Sequence, residues 1–235
     1  MEKKLDISVI SPVFNELENL ETFVESVTAV MNSTNMSWEL IIVDDGSNDG
    51  SSKILKKIGH QENIRSILLS KNYGQTTAIQ AGFDNAVGEY FVTLDSDLQN
   101  DPKDIPRLIQ KLINEELDLV VGWRKDRKDN YFFRNLPSIL ANKLIGTITG
   151  VKLHDYGCSL KAYRAEVLKE VKLYGEMHRF IPAWMATKIP ASKISEIEVR
   201  HHPRIAGESK YGISRTFRVF VDLISVYFFM KFFSR

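Results

Sequence analysis

Two carboxylates and an amide follow a short apolar run near the middle of the chain. Residues 90–94 (Tyr-Phe-Val-Thr-Leu) have the aromatic and β-branched character of a buried strand, and Asp95, Asp97 and Gln99 come directly after it. Side chains at alternate positions of an extended segment point the same way, so we expect these three to converge. Carboxylate oxygens together with a substrate's phosphates are the usual ligands of Mg²⁺, and the spacing therefore predicts a hard-cation site. The alternative is a pair of exposed acids that end a strand.

A helix is predicted to begin just after this acidic segment. Asp101 suits the N-cap position and Pro102 the first helical position, and helical spacing continues to residue 114. Similar units recur along the chain, with apolar runs at residues 7–13, 38–43, 64–69, 90–94 and 117–122. Because these runs alternate with helical patterns, the sequence predicts an α/β fold with a mostly parallel sheet.

In such sheets ligands bind beyond the carboxyl ends of the strands, so the residues at those ends form the candidate site. They combine acids, which suit hydroxyl groups or a metal, with cations, which suit phosphate: Phe14, Asn15, Glu16, Asp44, Asp45, Lys71, Asn72, Asp95, Asp97, Trp123 and Arg124. This set favours a nucleotide. Asp45 suits a ribose or a base as a hydrogen-bond acceptor, although Asp-Gly-Ser also forms turns in many proteins. The Gly-rich fingerprints of dinucleotide and ATP sites are missing from the sequence.

Composition excludes several other classes of protein. Basic and acidic side chains nearly balance at a formal net charge of +1, which gives no electrostatic case for nucleic-acid binding. Cys158 is the single cysteine, so an internal disulfide framework is excluded and a reducing compartment is favoured. The first apolar run is interrupted by Pro12, and no stretch reaches the ~20 apolar residues of a bilayer span. We therefore expect a globular domain that begins with a strand and not with a signal peptide.

Seven short motifs occur in an order that is typical of one enzyme family. They are SPVFNE (11–16), VDDGS (43–47), KNYG (71–74), LDSDLQ (94–99), VGWR (121–124), DYGCSLKAYR (155–164) and GESKYG (207–212). With these motifs the chain resembles the family-2 glycosyltransferases of the GT-A fold. Within that family it is similar to the polyprenyl-phosphate glycosyltransferases of the dolichol-phosphate mannose synthase type. Each motif is weak alone, but together they span nearly the whole chain in the family's order.

The resemblance implies a site for a nucleotide-diphosphate sugar, with Mg²⁺ or Mn²⁺ on the diphosphate. The implied metal ligands are Asp95, Asp97 and Gln99. The implied donor-binding residues are Pro12, Phe14, Asn15, Glu16, Val43, Asp45, Lys71, Asp95, Ser96, Arg204 and Lys210. The phosphate of a polyprenyl-phosphate acceptor would contact Arg124, Arg134 and Ser138, and the catalytic residues would be Asp97, Asp155 and Arg124.

The implied reaction is an inverting transfer of one sugar to a lipid phosphate at the cytoplasmic face of a membrane. A UDP-sugar is favoured as the donor, and GDP-mannose stays open. The acceptor is a phosphate monoester with a second pKa of about 6, so it is largely dianionic near neutral pH. Positioning by arginines therefore matters more than a strong general base. Asp155 would either orient the acceptor or act as that base.

Three other functions compete with this one. A glycosyltransferase of the same fold could use a saccharide acceptor. A Mg²⁺-dependent phosphohydrolase also uses an Asp-x-Asp motif, but its nucleophilic Asp follows the first strand, whereas Asp95 follows the fourth predicted strand. A signalling receiver module would explain the acids after the second strand, but such modules are much shorter and do not need a basic second half.

The second half of the chain carries weaker patterns. Residues 130–150 are predicted to be mostly helical, and residues 157–163 to form a strand at the edge of the sheet. Arg204 and Lys210 flank a basic loop that could close over phosphates. A metal site of His154, His201 and His202 is disfavoured, because adjacent histidines in an extended segment face opposite sides.

The predicted organisation is one glycosyltransferase domain at residues 1–213 and a helix at residues 214–235. Within the domain, residues 1–124 form the nucleotide-sugar half and residues 125–213 the acceptor half. Twelve of the fifteen residues from 219 to 233 are apolar, and basic residues flank them, which predicts an amphipathic or juxtamembrane helix on the membrane surface. The alternative is a helix packed on the sheet or on a second subunit, which leaves a homo-oligomer open. Related enzymes often continue into transmembrane helices here.

Overall fold

The computed structural model describes residues 5–125, 145–147, 150–169, 171–173, 175–203 and 228. The strands are β1 (Ile7–Val13), β2 (Trp38–Asp44), β3 (Ile64–Leu68), β4 (Tyr90–Thr93), β5 (Leu119–Trp123), β6 (Lys161–Arg164) and β7 (Ile194–Glu198). The helices are α1 (Leu17–Asn32), α2 (Ser51–Ile58), α3 (Gln75–Asn85), α4 (Ile105–Asn114), α5 (Ala165–Leu168) and α6 (Ile181–Met185). The strands form one sheet in the order β3-β2-β1-β4-β6-β5-β7, and every neighbouring pair is parallel except those that include β6.

Helices cover both faces of this sheet, which is why the parallel strands are continuous apolar runs. Every residue of β2 is buried. On one face Ile10 meets α3 so closely that a Cβ atom on Gly82 would lie 2.3 Å from the Ile10 side chain. On the other face Ile7 lines a groove with Met31 of α1 and Ile109 of α4. Successive side chains of a strand point to opposite faces, so the predicted α/β layering is confirmed.

The structure corrects the predicted edge strand at residues 157–163. The strand β6 is shorter, and it lies inside the sheet between β4 and β5, antiparallel to both. Lys161, Ala162 and Tyr163 are buried there. Strand order depends on non-local pairing, which the apolar pattern of a single segment does not reveal. The strand at this edge of the sheet is β7, whose Ile-Ser-Glu-Ile-Glu pattern is typical of a half-buried strand.

The predicted helix start at Asp101 is confirmed. Its carboxylate accepts a hydrogen bond from the backbone N–H of Lys103 at 3.0 Å, and Pro102 opens a 3₁₀ turn that runs into α4. The N–H groups of a first helical turn have no partner within the helix, so an aspartate at this position satisfies one of them.

Two predicted helices fall largely or wholly outside the described residues. One is the helix at 214–235, of which residue 228 alone is described, and the other is the helix at 130–150, where residues 145–147 are described and helical. Within the part of the chain that the structure describes, no helix combines the length and the apolar content needed to cross a bilayer.

A buried carboxylate joins β1 and β2 to the turn before β4. Glu39 on β2 accepts hydrogen bonds from the hydroxyl of Ser8 at 2.6 Å, from the backbone N–H of Val87 at 3.0 Å and from Arg65 at 3.1 Å. Ser8 in turn accepts the backbone N–H of Gly88 at 2.9 Å. A buried acid is tolerated here because its oxygens are hydrogen-bonded.

We predict that Glu39→Ala lowers the free energy of unfolding by about 2 kcal/mol, because the buried Val87 N–H and Ser8 hydroxyl lose their acceptor. Arg65→Ala is the control, since the Arg65 side chain is 47% exposed and contributes a mostly solvated ion pair. Thermal melting followed by circular dichroism measures both changes. Equal losses in the two variants would show that the ion pair, and not the buried acceptor, stabilises this junction.

Candidate functional site

A pocket opens at the carboxyl ends of β1, β2 and β4, where the sequence places its acids. Its lining is Pro12, Val13, Phe14, Glu16, Asp45, Asn72, Gly74, Gln75, Asp95, Ser96 and Asp97. The structure therefore brings eight of the predicted site residues together: Pro12, Phe14, Glu16, Asp45, Asn72, Asp95, Ser96 and Asp97. In parallel sheets this edge is the usual place for a ligand, because the strand ends and the loops after them converge there.

Four of the residues predicted to bind the donor or the metal lie within the described part of the chain but outside this lining. Val43 is fully buried in the sheet. Asn15 holds the loop after β1, because its backbone N–H donates to Ser47 and its side-chain carbonyl accepts the N–H of Asn48. Lys71 is exposed, with its ammonium 5.2 Å from the ring centre of Tyr73. Gln99, the fourth, belongs to the loop after β4.

The loop after β4 does not have the extended geometry that we expected. The chain bends at residues 96–98, and Leu98 adopts a positive φ of 60°. Asp97 accepts the backbone N–H of Gln99 at 3.2 Å, so this turn closes on itself. Alternation of side chains therefore does not apply here, and the pocket lining contains Asp95 and Asp97 but not Gln99. The assignment of Gln99 as a metal ligand remains a prediction.

The two acids at the end of β2 have different partners. Asp44 is buried and accepts hydrogen bonds from the backbone N–H of Ser47 at 3.0 Å and from the hydroxyl of Ser52. Asp45 lines the pocket, and its two oxygens accept the backbone N–H groups of Tyr73 at 2.7 Å and Gly74 at 2.9 Å. Burial raises the pKa of Asp45 above its ordinary value, although these N–H groups oppose the rise.

A glycine is required between these segments. Gly46 has a φ of 71°, and a Cβ atom there would lie 2.4 Å from the backbone carbon of Lys71. A side chain at this position would push the loop after β3 away from Asp45. Asp-Gly-Ser therefore forms the predicted turn, and this turn brings the Asp45 carboxylate to the pocket. Binding of a ribose or a base by Asp45 remains a prediction.

Gln75 and Asp95 form a contact that the sequence did not reveal. The side-chain amide of Gln75, the first residue of α3, donates to Asp95 Oδ1 at 2.8 Å. Burial raises the pKa of Asp95, while a hydrogen bond with Ser159 and the positive charges of Lys161 and Arg124 oppose the rise. The sequence shows Gln75 only as a residue at a helix start after Gly74, and its contact with Asp95 is visible only in the structure.

The end of β5 contributes an ion pair. Arg124 Nε donates to one oxygen of Asp155 at 2.6 Å and Nη2 to the other at 2.9 Å. The two side chains are 11% and 13% exposed, so this bidentate pair is largely shielded from water. The structure thus joins two of the residues that the resemblance assigned to catalysis, next to the carboxylates of β4.

Lys161 is a second residue that the sequence analysis missed. It is buried on β6, and its ammonium donates to the backbone carbonyl of Cys158. Burial lowers the pKa of Lys161, and it raises the pKa of the Cys158 thiol to about 11, which leaves that thiol unreactive. A lysine inside a short apolar strand was the available signal, because lysine is almost never fully buried without a polar partner.

The segment after β7 is attached to the same loops. The backbone N–H of His202 donates to the carbonyl of Gln99 at 2.7 Å, and the backbone N–H of Arg200 donates to the buried Asp104 at 2.7 Å. The next residues include Arg204 and Lys210, which lie outside the described residues, as do Arg134 and Ser138. Residues 200–202 therefore lie beside the loop that follows β4, and the predicted basic loop with Arg204 and Lys210 comes directly after them in the sequence.

The histidines do not form the disfavoured metal site. His154 stacks on Trp123 with ring centres 4.2 Å apart and contacts Glu196, whereas His202 lies 3.5 Å from Asp101. Among the described residues, no group of three or more His, Cys, Asp or Glu side chains has an arrangement that could hold a metal ion. The pocket lining contains four acidic residues, Glu16, Asp45, Asp95 and Asp97. The assignment of Asp95 and Asp97 as metal ligands remains a prediction.

Known proteins resemble this chain in sequence and in fold. Residues 8–172 match the family described as Glycosyl transferase family 2. The dodecaprenyl-phosphate galacturonate synthase of Rhizobium johnstonii is 56% identical over 235 residues, which are 99% of this chain and 70% of that protein. The undecaprenyl-phosphate 4-deoxy-4-formamido-L-arabinose transferase of Salmonella paratyphi A is 40% identical over 221 residues, and the match spans 93% of this chain but only 66% of that protein's length.

A solved structure confirms the fold. Glucosyl-3-phosphoglycerate synthase from Mycobacterium tuberculosis, determined with Mn²⁺, UDP-glucose and phosphoglyceric acid, matches with a TM-score of 0.71 at 19% identity over 94% of this chain and 79% of that chain. The seven-stranded, mostly parallel sheet and this likeness confirm the predicted GT-A architecture. Because the family match covers more than half of the chain, and the Rhizobium relative is similar over nearly all of it, the chain belongs to glycosyl transferase family 2 and is a glycosyltransferase.

Proposed function

We propose that this glycosyltransferase moves one sugar from a UDP-sugar to the phosphate of a polyprenyl phosphate, with inversion, at the cytoplasmic face of a membrane. The observation that carries the proposal is the 56% identity, over 99% of this chain, to a protein named dodecaprenyl-phosphate galacturonate synthase. GDP-mannose is the alternative donor, and a saccharide is the alternative acceptor.

The pocket supports a donor that lies from the end of β2 to the end of β4. Phe14 and Asp45 would contact the nucleoside, with Phe14 offering an apolar surface and Asp45 an acceptor for hydroxyl or N–H groups. Asp95, Ser96 and Asp97 would face the diphosphate at the other end of the pocket. The basic residues Arg204 and Lys210 are proposed to close over the diphosphate.

The residues present fit a Mg²⁺ or Mn²⁺ ion on that diphosphate. Asp95 and Asp97 are hard oxygen ligands on one wall of the pocket, and one or two carboxylates plus substrate phosphates is the usual way of holding Mg²⁺. Gln99 is proposed as a further ligand. When bound, the ion neutralises negative charge on the departing diphosphate.

On the acceptor side, a phosphate oxygen forms a bond to C1 of the sugar while the bond from C1 to the diphosphate breaks. The bonding electrons leave with the nucleoside diphosphate. We assign Arg124, together with Arg134 and Ser138, to holding the acceptor phosphate. Asp155 is assigned to orienting Arg124, because both of its oxygens bind the guanidinium; its role as a base is the alternative. The acceptor is already largely dianionic, since its second pKa is about 6.

We predict that Asp97→Asn reduces metal-dependent transfer by about 100-fold or more, because one of the two proposed carboxylate ligands of the metal loses its charge. The fold should persist, since an asparagine carbonyl can still accept the Gln99 N–H that Asp97 accepts. Transfer from a UDP-sugar to undecaprenyl phosphate, measured against Mn²⁺ concentration, tests this. Asp84→Asn is the control, because Asp84 is 50% exposed and pairs with Lys172 on the outer side of α3. Wild-type metal dependence in Asp97→Asn would contradict the assignment.

Arg124→Ala should raise the KM for the polyprenyl phosphate by roughly 10-fold or more, because a charge-assisted hydrogen bond to phosphate is lost. UDP binding, followed by thermal shift, should stay near the wild-type value. Arg164→Ala is the matched control, since Arg164 pairs with Asp118 at the far end of β6. Equal loss of acceptor use and UDP binding would move Arg124 to the donor site. Efficient transfer to a saccharide instead of a lipid phosphate would overturn the acceptor class.

The membrane surface is the proposed location of the C-terminal segment. The full chain should float with liposomes that contain anionic lipid at low salt, because twelve of the fifteen residues from 219 to 233 are apolar and basic residues flank them. A chain that ends at residue 214 should stay in the soluble fraction. If both chains stay soluble, the segment does not dock on a membrane and a packed terminal helix is the better account.

A further inference from the structure

The start of α3 connects the two ends of the pocket. On one side, both oxygens of Asp45 accept the backbone N–H groups of Tyr73 and Gly74, at 2.7 and 2.9 Å. On the other side, the next residue, Gln75, donates to Asp95 at 2.8 Å. One continuous hydrogen-bonded path therefore runs from the end of β2, through three consecutive residues, to the end of β4.

This path is held in place from both sides. Gly74, the residue before α3, has a φ of 96° and no side chain of its own to cap the helix, and its N–H donates to the Asp45 carboxylate, which fixes the helix start. One residue after Gln75, the hydroxyl of Thr76 hydrogen-bonds to the ring of His178 at 2.7 Å in a buried contact. Gln75 thus stands on a fixed first turn and not on a free loop.

The contact with Asp95 determines the orientation of the Gln75 side-chain amide. An ionised carboxylate is an acceptor without a proton to donate, so the NH₂ group of Gln75 must face Asp95. Its hydrogen bond is to Asp95 Oδ1, and Ser159 hydrogen-bonds to the same carboxylate. Groups that hydrogen-bond to a ligating carboxylate orient it, and their loss weakens metal binding in other proteins.

We propose that Gln75 is a positioning residue, which holds the Asp95 carboxylate in the orientation that a divalent cation on the donor diphosphate requires. The inference rests on the proposed function and adds to it a residue outside the implied ligand set. Through Asp45 and the fixed helix start, the same path links the nucleoside end of the pocket to its metal end.

The test measures Mn²⁺ binding by the full chain in the presence of UDP, with free Mn²⁺ detected by electron paramagnetic resonance. Gln75→Leu keeps a similar volume and helix propensity but has no donor. We expect its Mn²⁺ affinity to fall about 10- to 100-fold. UDP binding with EDTA present, measured by calorimetry, should stay near the wild-type value, because Gln75 is not assigned to the nucleoside. Gln75→Ala should reproduce both results if the lost amide, and not the new methyl groups, is the cause.

Gln80→Leu is the matched control. Gln80 lies on the same helix and donates to Asp84 at 2.9 Å, away from the pocket lining, so its loss should leave Mn²⁺ binding unchanged. Wild-type Mn²⁺ affinity in folded Gln75→Leu and Gln75→Ala would refute the inference alone. Equal weakening of Mn²⁺ and of metal-free UDP binding would also refute it, by making Gln75 a donor contact. Failure of the unaltered chain to bind Mn²⁺ with UDP would instead refute the proposed metal site, and this inference with it.

Discussion

The site depends on a single reversal in an otherwise parallel sheet. Because β6 runs antiparallel between β4 and β5, it begins near their carboxyl ends. The segment 155–160 that precedes β6 therefore lies on the same side of the sheet as the pocket. That crossing places Asp155 against Arg124 and Ser159 against Asn100, whose amide donates to the Ser159 hydroxyl at 2.9 Å. A parallel strand in this position would begin at the amino ends of its neighbours, and the segment before it would bring neither Asp155 nor Ser159 to the site.

The reversal also concentrates charge where water is scarce. Four charged side chains interact electrostatically there: Asp95, Arg124, Asp155 and Lys161. Each buried charge is costly unless it is paired or hydrogen-bonded, and the bidentate Arg124–Asp155 pair meets that condition within the protein. Within the described part of the chain, Asp95 is held by neutral donors and by nearby positive charge and forms no ion pair of its own. This arrangement suits the proposed role of Asp95, because a carboxylate that is not in an ion pair can bind a metal ion on the donor diphosphate.

The parallel half of the sheet provides the complementary constraint. Asp45 uses both oxygens to fix the start of α3, and α3 packs so closely on β1 that Gly82 leaves no room for a side chain beside Ile10. The two ends of the pocket, which are proposed to hold the nucleoside and the metal, are therefore joined through α3. Because a closely packed core has little free volume, we expect a displacement at one end of the pocket to move the other end.

The sequence by itself determined the alternation of strands and helices, the acids at the ends of β2 and β4, and the capped start at Asp101, because all of these follow from local spacing and residue chemistry. The tertiary structure alone decided the interior position of β6, the bend at residues 96–98 that displaces Gln99 from the lining, and the contacts of Gln75 and Lys161. The position of β6 and the Gln75–Asp95 contact arise from pairing between segments distant in the chain. The bend and the Lys161–Cys158 hydrogen bond are local, but the spacing of residue types does not specify them. A short apolar run can pair at an edge or in the interior with nearly the same pattern, and the available neighbours decide between them.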